Sequence, residues 1–255
     1  MDLGLTGKVI MVAAASRGLG FGIAQALSRE GAKVSIASRT LKDIEKSAEV
    51  LQKETGSEVL GTVFDAVDPS SIMKWVDATC KQFGGIDGLV VNAGGPPVGF
   101  FDDFDDDDWT KAFELTLLSA VRMIRAVLPS MRERGGGSIL TMTSFSVKEP
   151  VDVLILSNVM RSGVTSLAKT LSQQLAKYNI RVNNLMPGRF DTYRVRALDK
   201  KVAIDKGITP VLEKERQKKL IPLGRYGTCE EFSYTGLLLI MFVYTGHLRP
   251  CLQYT

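Results

Sequence analysis

Cysteine is scarce in this chain, and its spacing is unhelpful for cross-links or metals: Cys80, Cys229 and Cys251 are scattered, with no C-x-x-C unit. That pattern argues against a disulfide framework and a cysteine-based zinc site, and makes a reducing, cytoplasmic setting the expectation. The N-terminus has no basic region followed by a long apolar stretch, so nothing there reads as a secretory leader. The apolar run at 237–244 is too short to cross a bilayer, and a soluble protein without a membrane partner is expected. No Pro-, Gly- or Ser-rich linker divides the 255 residues, which favours a single domain over 1–255. Strong charge of either sign is also missing. Lys plus Arg number 32 against 28 Asp plus Glu, giving +4 with His247 neutral, a weak argument for anionic ligands and a poor one for nucleic acid.

What is present is an alternation of short apolar runs with amphipathic stretches. Val9–Ala13 leads into a glycine turn, after which Leu19, Ile23 and Leu27 recur at four-residue spacing, the mark of one buried helix face. Residues 33–37, 59–64, 88–92, 138–142 and 180–185 continue the strand series, and 41–54 reads as a polar-faced helix. Six strands alternating with helices predict an α/β fold: a doubly wound, mostly parallel, Rossmann-type sheet in a three-layer α/β/α sandwich. Right-handed crossovers place ligand-binding loops at the C-terminal edge of such a sheet.

The first candidate site is Ala14-Ala15-Ser16-Arg17-Gly18-Leu19-Gly20, after a strand and opening a helix. Gly18 and Gly20 allow close passage of a diphosphate, and the helix start offers unpaired N–H groups to it; a tight structural turn is the alternative. The next strand ends at Ala37-Ser38-Arg39, with no acid to accept a ribose hydroxyl. Arg39 and Arg17 either grip a ribose 2′-phosphate or simply face solvent.

Taken together, these features resemble the short-chain dehydrogenase/reductase family over essentially the full length, particularly a divergent branch similar to acyl-carrier-protein ketoreductases. Ala14, Ser16, Arg17, Gly18 and Gly20 align with the family's T-G-x-x-x-G-x-G turn, with Ala14 in place of its first glycine. Asp65 resembles the adenine-contacting Asp, Asn92-Ala93-Gly94 the N-A-G motif, and Pro187-Gly188 with Thr192 the loop that approaches the nicotinamide. Arg17 and Arg39, with no acid beside them, make NADP(H) the favoured cofactor and NAD(H) the alternative; the resemblance implies a small carbonyl or alcohol substrate and a homodimer or homotetramer.

The same resemblance exposes a departure. Ser144 stands where the family's catalytic serine does, but Ser157 and Arg161 replace its tyrosine and lysine, and Thr116 its upstream asparagine. Tyrosine has a reference pKa of about 10, which a neighbouring cation can tune; an aliphatic hydroxyl ionises far less readily and reaches less far. Arg161 keeps the positive charge for ribose or alkoxide but is a poor proton shuttle. If the segment is helical, the four-residue spacing puts Ser157 and Arg161 on one face. Three readings follow: an NADP(H)-dependent carbonyl/alcohol oxidoreductase, with 3-oxoacyl reduction one option; a dinucleotide-binding regulatory or scaffold protein with impaired catalysis; or a structural role or another reaction class in the same pocket.

Around this centre, the loop from Gly94 to Phe101 carries two prolines, and Phe100 and Phe101 are read as apolar substrate contacts. Residues 192–223 are expected to form a helical substrate lid, by resemblance. Residues 237–243 read as a buried helix. Cys251-Leu252-Gln253-Tyr254 falls where the family often reads V-D-G-G, in a terminal strand. The aspartates between 102 and 108 lack metal-site spacing and are read as loop and helix N-terminal charges. No metal is required on this reading. Dialysis against a chelator should leave turnover unchanged; loss restored by one divalent ion would overturn it.

Overall fold

A computed structural model describes residues 2–241 and 253–254. Its strands are β1 (Val9–Ala13), β2 (Lys33–Ser38), β3 (Val59–Val63), β4 (Gly88–Val91), β5 (Gly137–Met142), β6 (Ile180–Leu185) and β7 (Gln253–Tyr254). They form one parallel sheet in the order β3-β2-β1-β4-β5-β6-β7. The six strands expected from sequence are all there. The seventh holds two residues, too few for a periodic signal, and pairs Gln253 with Asn184 and Tyr254 with Leu185. Cys251 and Leu252 lie outside the described residues.

The helices are α1 (Gly18–Arg29), α2 (Leu41–Thr55), α3 (Pro69–Phe83), α4 (Asp106–Ala112), α5 (Ser119–Glu133), α6 (Ile155–Gln174), α7 (Tyr193–Asp205), α8 (Pro210–Lys219) and α9 (Cys229–Ile240). Strand parity sorts the core into two layers. Ile10 and Val12 of β1 join Ile23, Leu27, Ile44, Phe232 and Leu237 on the side of α1, α2 and α9. Met11 and Ala13 join Trp75, Met123 and Val164 on the side of α3, α5 and α6. A strand buried on both faces reads as a continuous apolar run, as Val9–Ala13 does.

Order reverses between β1 and β4, so the loops after these two strands splay apart and leave a crevice at the C-terminal edge of the sheet. At the opposite edge, buried Asp87 accepts from the Val9 amide at 2.9 Å and takes two bonds from Arg134, at 2.8 and 2.9 Å. That clamp joins β1, the start of β4 and the end of α5.

Two expectations need adjusting, and a third holds. The predicted buried helix at 237–243 ends at Ile240, and Leu238 turns outward while Leu237, Leu239 and Ile240 are buried; residues 242 and 243 lie outside the described region. Phe100 and Phe101 are largely exposed and line neither the groove nor the cavity described below, and Phe101 packs edge-on against Trp109. The aspartate run behaves as helix-start charge: Asp105 caps α4, its Oδ1 accepting from the Asp108 amide at 2.9 Å.

The Ala14 substitution leaves a visible mark. Its backbone adopts φ +50°, the left-handed region where a Cβ is strained, and Gly18 follows at φ +66°. Ala14→Gly should therefore raise the thermal midpoint, by an amount set by about 1 kcal/mol of relieved strain less the added chain entropy of glycine. Calorimetric melting of the two proteins checks this; a lower midpoint in the variant would show that the turn carries no such strain.

Candidate active site

The first turn, between β1 and α1, is built for close approach. A methyl group at Gly20 would stand 2.7 Å from the Ala14 carbonyl oxygen and 3.1 Å from Asn92 Nδ2. Asn92 Nδ2 donates to that carbonyl at 3.4 Å, so Asn92 ties the end of β4 to the turn, a shaping role. Ser47 Oγ of α2 donates to Ser16 O at 2.9 Å and holds the turn from the other side. The α1 N-terminus has no side-chain cap and no acid in its first turn. Its free N–H groups and positive dipole end are left for an external anion.

A groove of about 460 Å³ runs from this turn, lined by Ala14, Ser16, Arg17, Ser38, Arg39, Asp65, Ala93 and Gly94 among others. Eight residues singled out in the sequence for a dinucleotide thus line one space. Ser38 Oγ is buried there with no hydrogen-bond partner, a donor and acceptor at the end of β2 in the groove that Arg17 and Arg39 also line. An uncapped helix start, an unpartnered hydroxyl and two arginines fit a phosphorylated ribose and a diphosphate. Leu19 contributes its position in the first turn of α1, with its side chain packed on the core. Asp43 and Lys111 also line the groove and were missed. Asp43 stands shortly after Arg39 in the chain, a local signal that could have indicated it; Lys111 arrives from α4, with no sequence signal linking it to the turn.

The catalytic candidates gather along β5, α6 and the segment before α5. Ser144 follows β5, and its Oγ accepts from the Ser146 amide at 3.1 Å, leaving its own proton free. Arg161 Nε donates to Ser157 Oγ at 3.1 Å, one helical turn apart on α6 as the spacing predicted. Arg161 Nη1 donates to the carbonyls of Met142 and Thr143, at 3.1 and 3.2 Å, at the end of β5. Burial, and secondly the charge of Arg194, push its pKa down to about 10.

Thr116 lies in a π-helical segment, Phe113–Leu118, between α4 and α5. Its buried Oγ1 has no hydrogen-bond partner. Such single-turn π segments widen a helix locally and recur at functional sites. Nothing in the sequence signalled this one.

Pro187 and Gly188 are placed differently from the cofactor turn residues. Together with Phe145, Phe190, Leu220, Ile221 and Leu223 they border a second, mainly apolar cavity of about 1110 Å³. The Pro187 carbonyl accepts from the Phe145 amide at 3.0 Å, which fastens the loop beside Ser144. The Thr192 hydroxyl caps α7 by accepting from the Val195 amide at 3.2 Å, and its methyl faces Gly18. Arg17 stacks on Tyr193, 4.9 Å from the ring centre. The start of α7 therefore lies across the first turn, within the predicted lid.

This assembly of strand-edge loops over a switch point is matched by sequence comparison: residues 8–203 fit the model of the short chain dehydrogenase family. The chain belongs to that family. It is accordingly an oxidoreductase. Human "dehydrogenase/reductase SDR family member 4" is 36% identical over 195 residues, covering 76% of this chain and 70% of the relative. L-sorbose reductase from Gluconobacter frateurii, solved with NADPH and L-sorbose, superposes with a TM-score of 0.92 at 29% identity, covering 100% of this chain and 97% of the other. A variant of actinorhodin polyketide ketoreductase, solved with NADPH, gives 0.91 at 27% identity, with 96% and 95% covered. Among the described residues of this short-chain dehydrogenase, no helix is long and apolar enough to cross a membrane.

If Arg39 and Ser38 receive a 2′-phosphate, Arg39→Ala should weaken NADPH binding about tenfold and leave NADH binding within about twofold. Titration calorimetry with both nucleotides checks it; equal affinities in the unmodified protein would remove the phosphate role.

Proposed function

We propose that this chain is an NADP(H)-dependent carbonyl reductase, running as an alcohol dehydrogenase in reverse, with Thr116, Ser144, Ser157 and Arg161 as its active site and 3-oxoacyl-type ketones among its substrate class. The observation that carries this reading is the Arg161–Ser157 hydrogen bond of 3.1 Å beside Ser144, next to a groove suited to a phosphorylated dinucleotide. The contacts of Ala14 to Gly20, Ser38, Arg39, Asp65, Asn92 to Gly94, Arg161, Pro187, Gly188 and Thr192 with the cofactor belong to the same proposal. So does the single-domain organisation with residues 192–223 as its lid. The NADPH in the sorbose reductase and actinorhodin ketoreductase structures supports the cofactor choice.

The dinucleotide, when bound, supplies the hydride. Ser144, its Oγ already accepting from Ser146, donates its proton toward the substrate carbonyl oxygen. Ser157 Oγ accepts from Arg161, which leaves the Ser157 proton free to donate and places a cation where negative charge grows. The guanidinium keeps the Met142 and Thr143 carbonyls drawn in, so the backbone that presents Ser144 is fixed before substrate arrives. The unpartnered Thr116 hydroxyl is suited to hold the water that resupplies the proton.

NADPH consumption should be measured against small ketones, quinones, sugar-derived carbonyls and thioester-linked 3-ketoacyl compounds. Turnover with at least one class is expected, and Ser144→Ala should lower kcat by about 10²-fold or more. Micromolar NADPH binding without turnover of any class would favour a cofactor-holding protein that does no chemistry.

The pH profile gives a separate check. Arg161 acts in its protonated form, so its contribution is present below its pKa and is lost as pH rises through about 10. Reduction measured as kcat/KM should fall on a limb near that pH, and Arg161→Met should abolish the limb together with most of the activity. A profile unchanged by the substitution would remove Arg161 from the mechanism.

A further inference from the structure

Arg194, near the start of α7, sends Nη2 to the carbonyl oxygen of Pro96 at 2.8 Å, and its guanidinium lies against Gly95. These acceptors follow β4, while the Met142 and Thr143 carbonyls that hold Arg161 end β5. The two strands are neighbours in register, Val91 beside Thr141. The guanidinium groups thus approach one crevice from two directions, one from α6 and one from the lid.

Neither has an acidic partner among the described residues. Arg134 pairs with Asp87 and Arg189 with Asp199, and Arg181, which also has no acid, spends its guanidinium on the Leu239, Ile240 and Met241 carbonyls and on Ser138 Oγ. Arg161 and Arg194 donate only to backbone carbonyls and one serine, and Arg161 Nη2 makes no hydrogen bond to the described residues. Two like charges facing one space raise each other's energy, and an oxyanion between them relieves both. The loops after β4 and β6 border open space at this edge of the sheet, where a Cβ placed on Gly94 or Gly188 would meet nothing within 4 Å. The cofactor groove has separate cations for phosphates, Arg17, Arg39 and Lys111, and neither Arg161 nor Arg194 lines it.

We infer that Arg161 and Arg194 form a receiving site for an oxyanion on the substrate, so that the natural substrate is a carbonyl or alcohol compound carrying a carboxylate or a phosphate. Arg194 specifies that substrate, and it does so from the lid, which links recognition of the anion to closure of α7. The inference rests on the proposed reductase reading for the identity of the bound compound.

The test is binding to the protein–NADP⁺ complex, where no turnover occurs, by titration calorimetry. Acetoacetate is compared with methyl acetoacetate, and dihydroxyacetone phosphate with dihydroxyacetone. The charged member of at least one pair should bind about tenfold tighter than its neutral partner, and which pair discriminates tells carboxylate from phosphate. Arg194→Gln should remove most of that preference while NADP⁺ affinity stays within about twofold, and Arg194→Lys should retain part of it. The inference is overturned if neither pair discriminates, if the preference survives Arg194→Gln, or if that substitution weakens NADP⁺ by the same factor as the substrate anion. Reduction of neutral ketones without anion preference would sink this inference alone; anion preference without any turnover would sink the catalytic reading alone.

Discussion

The site depends on one guanidinium held without an acid. Arg161 bridges α6 and the end of β5 through two carbonyls and reaches Ser157 with its Nε. A lysine at this position would offer a compact ammonium and fewer fixed directions; the planar fork of arginine serves strand and serine at once. The geometry also explains why the four-residue spacing matters, since Nε and Oγ meet only if both side chains leave the same helix face. The positive charge of Arg161 is therefore not neutralised by an ion pair among the described residues, which is what the proposed chemistry requires.

Much of this architecture is legible in the chain because its determinants are local. Val9–Ala13 is apolar at every position, and a strand buried on both faces requires that. The glycine turn is recognisable because Gly20 has no space for a side chain beside the Ala14 carbonyl. The Ser157–Arg161 contact follows from helix periodicity alone. Residues that act across the fold are less legible. Lys111 reaches the cofactor groove from α4, Arg194 reaches Pro96 from α7, and neither has a local pattern announcing its destination. The π segment around Thr116 is set by tertiary packing between neighbouring helices, which propensity does not encode. Phe100 and Phe101 show the opposite failure, since apolar character alone does not place a side chain in a pocket.

The segment proposed as a lid is tied down by several kinds of contact. Tyr193 stacks under Arg17, Thr192 covers Gly18, and Lys201 donates to the Val98 carbonyl. Farther along, buried Asp199 accepts from Tyr226 at 2.8 Å and pairs with Arg189 at 3.0 Å. Burial, and secondly the Asp199 carboxylate, hold the Tyr226 phenol well above its ordinary pKa, so it remains a neutral donor. One end of α7 thus touches the nucleotide turn while its middle is anchored to the segment before α9. Movement of the helix would swing the first end about the second.

The Asp87 clamp sits on the rim of the sheet remote from all of this. By fastening β1, β4 and α5 there, it removes from the reactive rim the task of holding those strands in register. Ser157, Arg161 and Thr116, the residues proposed for the chemistry, take no part in the joints that keep the layers together. A scaffold divided in this way lets its chemistry drift while its shape stays put.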